Sequence, residues 1–86
     1  MTSKQVLAFS LLKFLQWKGE LPEVLISRYR MNRELAARDL ADFVLAHRDE
    51  YSASYLQKVE WAVRTWLYAN NIDLPGEILR KRYRIR

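Results

Sequence analysis

Residues 54–69, SYLQKVEWAVRTWLYA, form the clearest amphipathic stretch of the chain and decide its fold class. Projected at 100° per residue, the apolar side chains gather on one face, with Leu56 and Leu67 at its edge. The members of that face are Tyr55, Val59, Ala62, Val63 and Trp66. Ser54 and Gln57 fit a capping box, in which hydroxyl and amide each satisfy a backbone N–H of the first turn. The pattern predicts a helix over this stretch that packs into a core.

Three earlier stretches also carry apolar residues at helical spacing, and each has recognisable end signals. Gly19 supplies a left-handed stop, Pro22 suits a first helical position, and Asn32 is a candidate N-cap. Asn70 and Asn71 can adopt the left-handed conformation that ends the fourth helix. The predicted helices are residues 4–18, 22–30, about 33–48 and 54–69.

Length and composition limit the fold to a small number of possibilities. The 86 residues are half apolar and 13% aromatic, with only two Gly and two Pro, which is typical of one compact, mainly helical domain. We predict an all-α bundle of four to five short helices over residues 1–76, followed by a basic C-terminal arm or short helix over residues 77–86. Without cysteine there is no disulfide framework, and no apolar window reaches the length of a membrane span, so a cytoplasmic location is expected.

Positive charge is concentrated at the C-terminus. Five of the fifteen basic side chains lie in the last seven residues, whereas residues 1–76 hold ten basic against nine acidic residues. Basic residues at a helix end complement the macrodipole, but one or two would suffice for that. The excess favours contact with a polyanion, of which nucleic acid is the commonest. Settling of the arm on anionic lipid is a weaker alternative.

Two further features extend this hypothesis. The stretch from Arg28 to Arg33 is a second basic patch, and the polar side of residues 54–69 carries Trp61 and Tyr68, where an ordinary surface helix would be polar. These rings indicate a binding surface for bases or for a protein, unless both faces of the helix are buried in the core. The candidate nucleic-acid-binding residues are Arg28, Arg30, Arg33, Lys58, Arg64, Arg80, Lys81, Arg82, Arg84 and Arg86.

No pattern of catalytic or metal-binding residues is found. His47 is the single histidine and projects beside the core, which indicates a structural role. Asp39 and Asp42 are assigned to the solvent side of the third helix, without a nucleophile or ligand at the required spacing. We therefore expect no enzyme, no cofactor and no metal. The wide apolar arc of the first helix, from Leu7 through Leu15 to Leu12 and Phe9, indicates either a central helix or the face of a homodimer.

Between residues 35 and 72 an acidic-apolar helix is followed by a loop, a serine, and a helix with apolar residues at four-residue steps and an Arg before aromatic residues. The residues concerned are Leu40, Ala41, Asp42, Phe43, Val44 and Leu45, then Ser52, then Tyr55, Val59, Val63, Arg64, Trp66 and Leu67. This order resembles the N-terminal, SAM-like core-binding domain of tyrosine recombinases and phage integrases. The resemblance implies a helical domain that grips DNA. We expect no catalytic domain of that family here, hence no strand cleavage and no nucleophilic role for Tyr83.

These features favour a small non-enzymatic nucleic-acid-binding protein that uses phosphate contacts, with DNA favoured over RNA. The alternative is a protein-interaction module, a regulator or inhibitor of a larger complex, which docks an acidic partner through Trp61, Tyr68 and arginines. A homodimer is compatible with either function.

Overall fold

The bounds of the helices follow from the residues at which the backbone cannot remain helical. The computed structural model describes residues 3–74, with side chains from residue 9 onward, and this part contains four α-helices and no strand. They are α1 (Ser3–Lys18), α2 (Pro22–Met31), α3 (Arg33–His47) and α4 (Ala53–Ala69). The predicted all-α bundle is confirmed. The basic arm and the predicted fifth helix lie outside the described residues.

Short turns join the first three helices. Gly19 ends α1 with a φ of 70°, a conformation that is strained for a residue with a Cβ atom, as its sequence position predicts. Pro22 opens α2 after the extended residue Leu21. Asn32 alone separates α2 from α3 in an extended conformation, but its side chain makes no capping hydrogen bond. The predicted position of this N-cap is therefore confirmed, and the predicted capping side chain is wrong.

The start of α4 differs from the prediction. Ser52 is the N-cap, and its Oγ accepts a hydrogen bond from the amide of Tyr55 at 3.1 Å. The predicted capping box at Ser54 is wrong because Ser54 already lies inside the first turn. The preceding turn decides between the two serines: the amide of Tyr51 still donates to the carbonyl of His47 at 2.9 Å, so Ser52 is the first residue available to cap.

The end of α4 is a Schellman motif. Asn71 has a φ of 64°, and its amide donates to the carbonyl of Tyr68 at 3.0 Å. The amide of Ile72 donates to the carbonyl of Leu67 at 2.8 Å, and both of these side chains are buried. The left-handed conformation predicted for this end is confirmed at Asn71. Asn70 instead has a φ of −103° and is the C-cap.

The core lies where α1 packs along α4 and α2 packs along α3. The predicted apolar face of α4 is confirmed, since its aliphatic residues are buried while Tyr55 and Trp66 are partly buried against them. Residues 72–74, which follow α4, have no regular secondary structure, with Ile72 and Leu74 buried and Asp73 exposed between them. The largest fully buried side chains are Tyr29, Phe14, Phe43, Leu25, Leu40, Leu67, Ile72, Val59 and Val63.

A polar network crosses this core. The hydroxyl of Tyr29 donates to Oδ2 of Asp39 at 2.7 Å, and the same oxygen lies 3.2 Å from Nζ of Lys18. Asp39 is 6% exposed, so its predicted place on the solvent side is wrong. Burial, followed by the hydrogen bond to Asp39, raises the pKa of Tyr29 above its ordinary range. The network joins α1, α2 and α3 through one carboxylate.

Aromatic rings form a continuous row from α1 to the start of α4. The His47 ring stacks on Phe43, with centroids 4.2 Å apart, and on Tyr51, with centroids 5.2 Å apart. Trp17 meets Phe43 edge to face, and Tyr51 meets Tyr55 in the same way. Nδ1 of His47 lies 2.8 Å from the carbonyl oxygen of Phe43. These contacts give His47 the structural role that its sequence position indicates.

Candidate nucleic-acid interface

Three arginines converge on the segment that follows α4. Arg30, near the end of α2, places Nη2 and Nε 3.2 and 3.4 Å from the carbonyl oxygen of Asn70. Arg33, the first residue of α3, donates from Nη1 to the carbonyl of Asp73 at 3.3 Å. We call Arg30, Arg33 and Arg64 the arginine cluster. It holds the chain immediately before the basic arm.

Arg64 approaches the same segment from α4. Its Nε donates to the carbonyl of Leu74 at 3.0 Å, and its Nη1 lies 3.9 Å from Glu60, one turn earlier in the helix. The sequence places Arg64 on the solvent face, whereas its side chain is about one-third exposed at the edge of that face. Sequence reasoning did not find these contacts because backbone carbonyl acceptors carry no residue-type signal.

The contacts of Arg30 and Arg33 leave their positive charge uncompensated. A carbonyl oxygen is a dipole without net charge, and neither arginine forms an ion pair within the described part of the chain. A guanidinium has five N–H donors, and each of these contacts uses one or two of them. The remaining donors and the full charge are available to an anion, since both side chains are exposed.

Arg28 has a different environment from the rest of the predicted basic patch. Its Nη1 lies 2.6 and 2.7 Å from the two carboxylate oxygens of Glu20. This ion pair balances the charge of Arg28 and ties the last turn of α2 to the turn after α1. The structure therefore separates Arg28, which is paired, from Arg30 and Arg33, which are not.

The outer face of α4 is exposed. Trp61 is 53% exposed and Tyr68 is 72% exposed, so the alternative that both faces of this helix are buried is wrong. Lys58, Gln57 and Thr65 are also exposed on this side of the helix. The outer face thus carries two large aromatic side chains and a cation.

The basic arm continues directly from the segment that the arginine cluster holds. Its residues, Arg80, Lys81, Arg82, Arg84 and Arg86 among them, lie outside the described part of the chain. A chain spans at most about 3.6 Å per residue, so Arg80 is within about 22 Å of Leu74 in any conformation. That distance covers roughly six phosphates along one strand of DNA. The arm and the cluster can therefore act on the same stretch of polyanion.

A second exposed apolar surface lies on α1. Phe9 and Leu12 are exposed there, while Phe14 on the opposite side is fully buried in the core and meets Phe43 of α3 edge to face. This surface is where the sequence places a homodimer face, and dimer formation stays a prediction.

The same part of the chain contains neither a metal-ligand cluster nor a membrane-spanning helix. Residues 3–74 contain no group of three or more His, Cys, Asp or Glu side chains that could hold a metal ion. None of the described helices has the length and apolar content to cross a membrane.

Comparison with known proteins adds no relative. The chain matches no protein-family model, no curated protein and no solved structure. The resemblance to recombinase core-binding domains therefore stays a prediction from residues 35–72.

Proposed function

We propose that this protein is a non-enzymatic nucleic-acid-binding module that holds the phosphate backbone with the arginine cluster, Lys58 and the basic arm. The observation that carries the proposal is the placement of Arg30 and Arg33. Both hold neutral carbonyls instead of carboxylates, and both do so at the segment that leads into the most cationic part of the chain. DNA is favoured over RNA because of the resemblance to DNA-gripping core-binding domains.

The carbonyl contacts favour phosphate binding in a second way. A free arginine side chain loses rotamer freedom when it binds an anion, which costs about 0.5–1.5 kcal/mol for each ordered side chain. Arg30 and Arg33 are already held by Asn70 and Asp73, so part of this cost is met by folding. Phosphate contact then releases counterions, and the affinity depends steeply on salt concentration.

The test is fluorescence anisotropy of the intact chain with labelled duplex and single-stranded DNA across a salt series. The variant Arg30→Gln/Arg33→Gln removes two charges from the cluster. The matched control Lys13→Gln/Arg48→Gln removes two exposed charges elsewhere. Arg48 is the C-cap of α3 and lies about 22 Å along the helix axis from Arg33, the first residue of that helix. Lys13 belongs to a different helix, α1. A third variant, Arg82→Ala/Arg84→Ala, tests the arm.

The expected result is binding that weakens with salt and that the cluster and arm variants reduce more than the control does. Each lost phosphate contact lowers the slope of log K against log salt by about 0.9 for duplex DNA, so the cluster variant lowers it by about 1.8. Binding that does not change between low and moderate salt contradicts the proposal. So does an equal loss in the cluster variant and the matched control.

A protein-interaction module is the second candidate, because Trp61 and Tyr68 are exposed and such residues are enriched at binding hot spots. An acidic partner would be steered by the arm and docked by the two rings. In that case Arg82→Ala/Arg84→Ala mostly slows association, whereas Trp61→Ala accelerates dissociation. A cytoplasmic location belongs to both candidates.

A further inference from the structure

The two exposed rings of α4 form one stripe. Trp61 and Tyr68 are seven residues apart, which places them about 20° apart around the helix and about 10 Å apart along it. Neither ring belongs to the aromatic contacts among the described residues, which instead join Phe14, Trp17, Phe43, His47, Tyr51 and Tyr55. More than half of each side chain is exposed, and this exposed part is open to a ligand.

Cationic side chains lie along this stripe. Lys58 lies on the exposed side, Arg64 lies between the two rings along the helix, and Arg30 contacts the backbone two residues beyond Tyr68. The only acidic residue in α4 is Glu60, which lies on the far side of Arg64 from the rings and 3.9 Å from its guanidinium. Cations and aromatic rings therefore alternate along the outer face of α4, without a carboxylate on the exposed side.

This alternation of cations and rings suits single-stranded nucleic acid better than a duplex. In a duplex the base faces are stacked on each other and only the phosphates and groove edges are accessible. In a single strand the base faces are free to stack on aromatic side chains, while the phosphates meet arginine and lysine. A surface that bound duplex phosphate alone would gain nothing from two large exposed rings.

We propose that the ligand is single-stranded nucleic acid, with unpaired bases stacked on Trp61 and Tyr68, the phosphate between them held by Arg64, and the flanking phosphates held by Lys58 and Arg30. This rests on the proposed function and adds to it the strand form of the ligand and the residues that select it. The two residues are about 10 Å apart along the helix axis, which equals about three base-stacking steps, so we expect the rings to hold two bases that are not neighbours in the strand.

The experiment measures binding of the full chain to a labelled oligothymidine of about twelve nucleotides, to an oligouridine of the same length, and to a duplex of matched length. The variants are Trp61→Ala and Tyr68→Ala, with Trp61→Phe to restore a ring. Phe9→Ala is the matched control, because Phe9 is also an exposed aromatic residue but belongs to α1. Circular dichroism confirms that each variant keeps its helices.

Trp61→Ala is expected to weaken oligothymidine binding about five- to 150-fold, which is the range for loss of one base–aromatic stack. Duplex binding is expected to weaken less than about twofold. Trp61→Phe restores most of the affinity, and Phe9→Ala changes neither. The oligouridine arm shows whether the site distinguishes DNA from RNA. An equal loss for single strand and duplex, or no loss with Trp61→Ala, overturns this inference while arginine-dependent binding still supports the proposed function.

If neither single-stranded nor duplex nucleic acid binds at low salt, the proposed function fails together with this inference. The outer face of α4 is then a protein-binding surface, and the protein-interaction candidate takes its place.

Discussion

Replacing Tyr29 with Phe tests the polar network that crosses the core. The change removes one hydroxyl, which donates to Asp39 at 2.7 Å from a side chain that is fully buried. A hydrogen bond to a charged group contributes about 1.5–3 kcal/mol to stability. The ring itself is kept, so little cavity forms, and Asp39 retains the ion pair with Lys18. We therefore expect the free energy of unfolding to fall by about 1.5–3 kcal/mol.

The measurement is urea unfolding followed by circular dichroism. With a slope m of about 1.5 kcal/mol/M, within the range for small proteins, the midpoint falls by about 1–2 M. A chain of this size has a stability of roughly 4–13 kcal/mol, so the variant is expected to stay folded in water and the transition to be measurable.

Tyr68→Phe is the matched control, because it removes the same atom from a tyrosine that is 72% exposed. A surface change of this kind is expected to alter stability by less than about 0.5 kcal/mol. If the two variants have the same midpoint, the bond between Tyr29 and Asp39 does not stabilise the fold. A loss beyond about 4 kcal/mol would also refute the reasoning, because it would mean that Asp39 depends on the hydroxyl and not on Lys18.

Three further predictions concern the fold. Burial raises the pKa of Tyr29 in the folded state, so near pH 10 the unfolded chain releases the phenolic proton while the folded chain keeps it. The contribution of Tyr29 to the free energy of unfolding is therefore fully present below about pH 10, and above it falls by up to about 1.4 kcal/mol per pH unit. Urea midpoints of the native chain and Tyr29→Phe should therefore draw closer between about pH 9 and pH 11, and a constant gap would contradict the pKa shift. Ser52→Ala should lower the free energy of unfolding by about 1 kcal/mol through loss of the N-cap hydrogen bond, whereas Ser54→Ala should lower it by less than half of that. Equal effects of the two substitutions would contradict the observed start of α4. Gly19→Ala should cost about 1 kcal/mol through its positive φ alone, since no atom lies within 4 Å of the added Cβ; an unchanged midpoint in thermal or urea unfolding would contradict the left-handed turn.

The helices could be predicted from the sequence because their signals are local. Gly19, Pro22 and Asn71 each act through their own backbone preferences, and the apolar period of α4 is visible in its residues alone. The N-cap of α4 was misplaced by two residues because Ser52 and Ser54 are both suitable, and the turn before them decides which is used.

The site was less predictable because its contacts join distant residues. Asp39 was assigned to solvent because an acid is seldom buried, and its partners Lys18 and Tyr29 lie on two other helices. The sequence groups Arg28 with Arg30 and Arg33, and only the folded chain separates the arginine with a carboxylate partner from the two that hold carbonyls. A residue type shows charge but not which partner neutralises it.

The carbonyl contacts of Arg30 and Arg33 each join positions 40 residues apart in the chain. Such contacts form only after the corner between α2 and α3 has met the end of α4, so we expect them to form late in folding. Their acceptors lie at the surface, and they can open without unfolding the helices. We therefore expect the anchorage of the C-terminal segment to have its own opening equilibrium, separate from that of the bundle. Sequence change at these two arginines can adjust how firmly the segment is held while the four helices keep their stability.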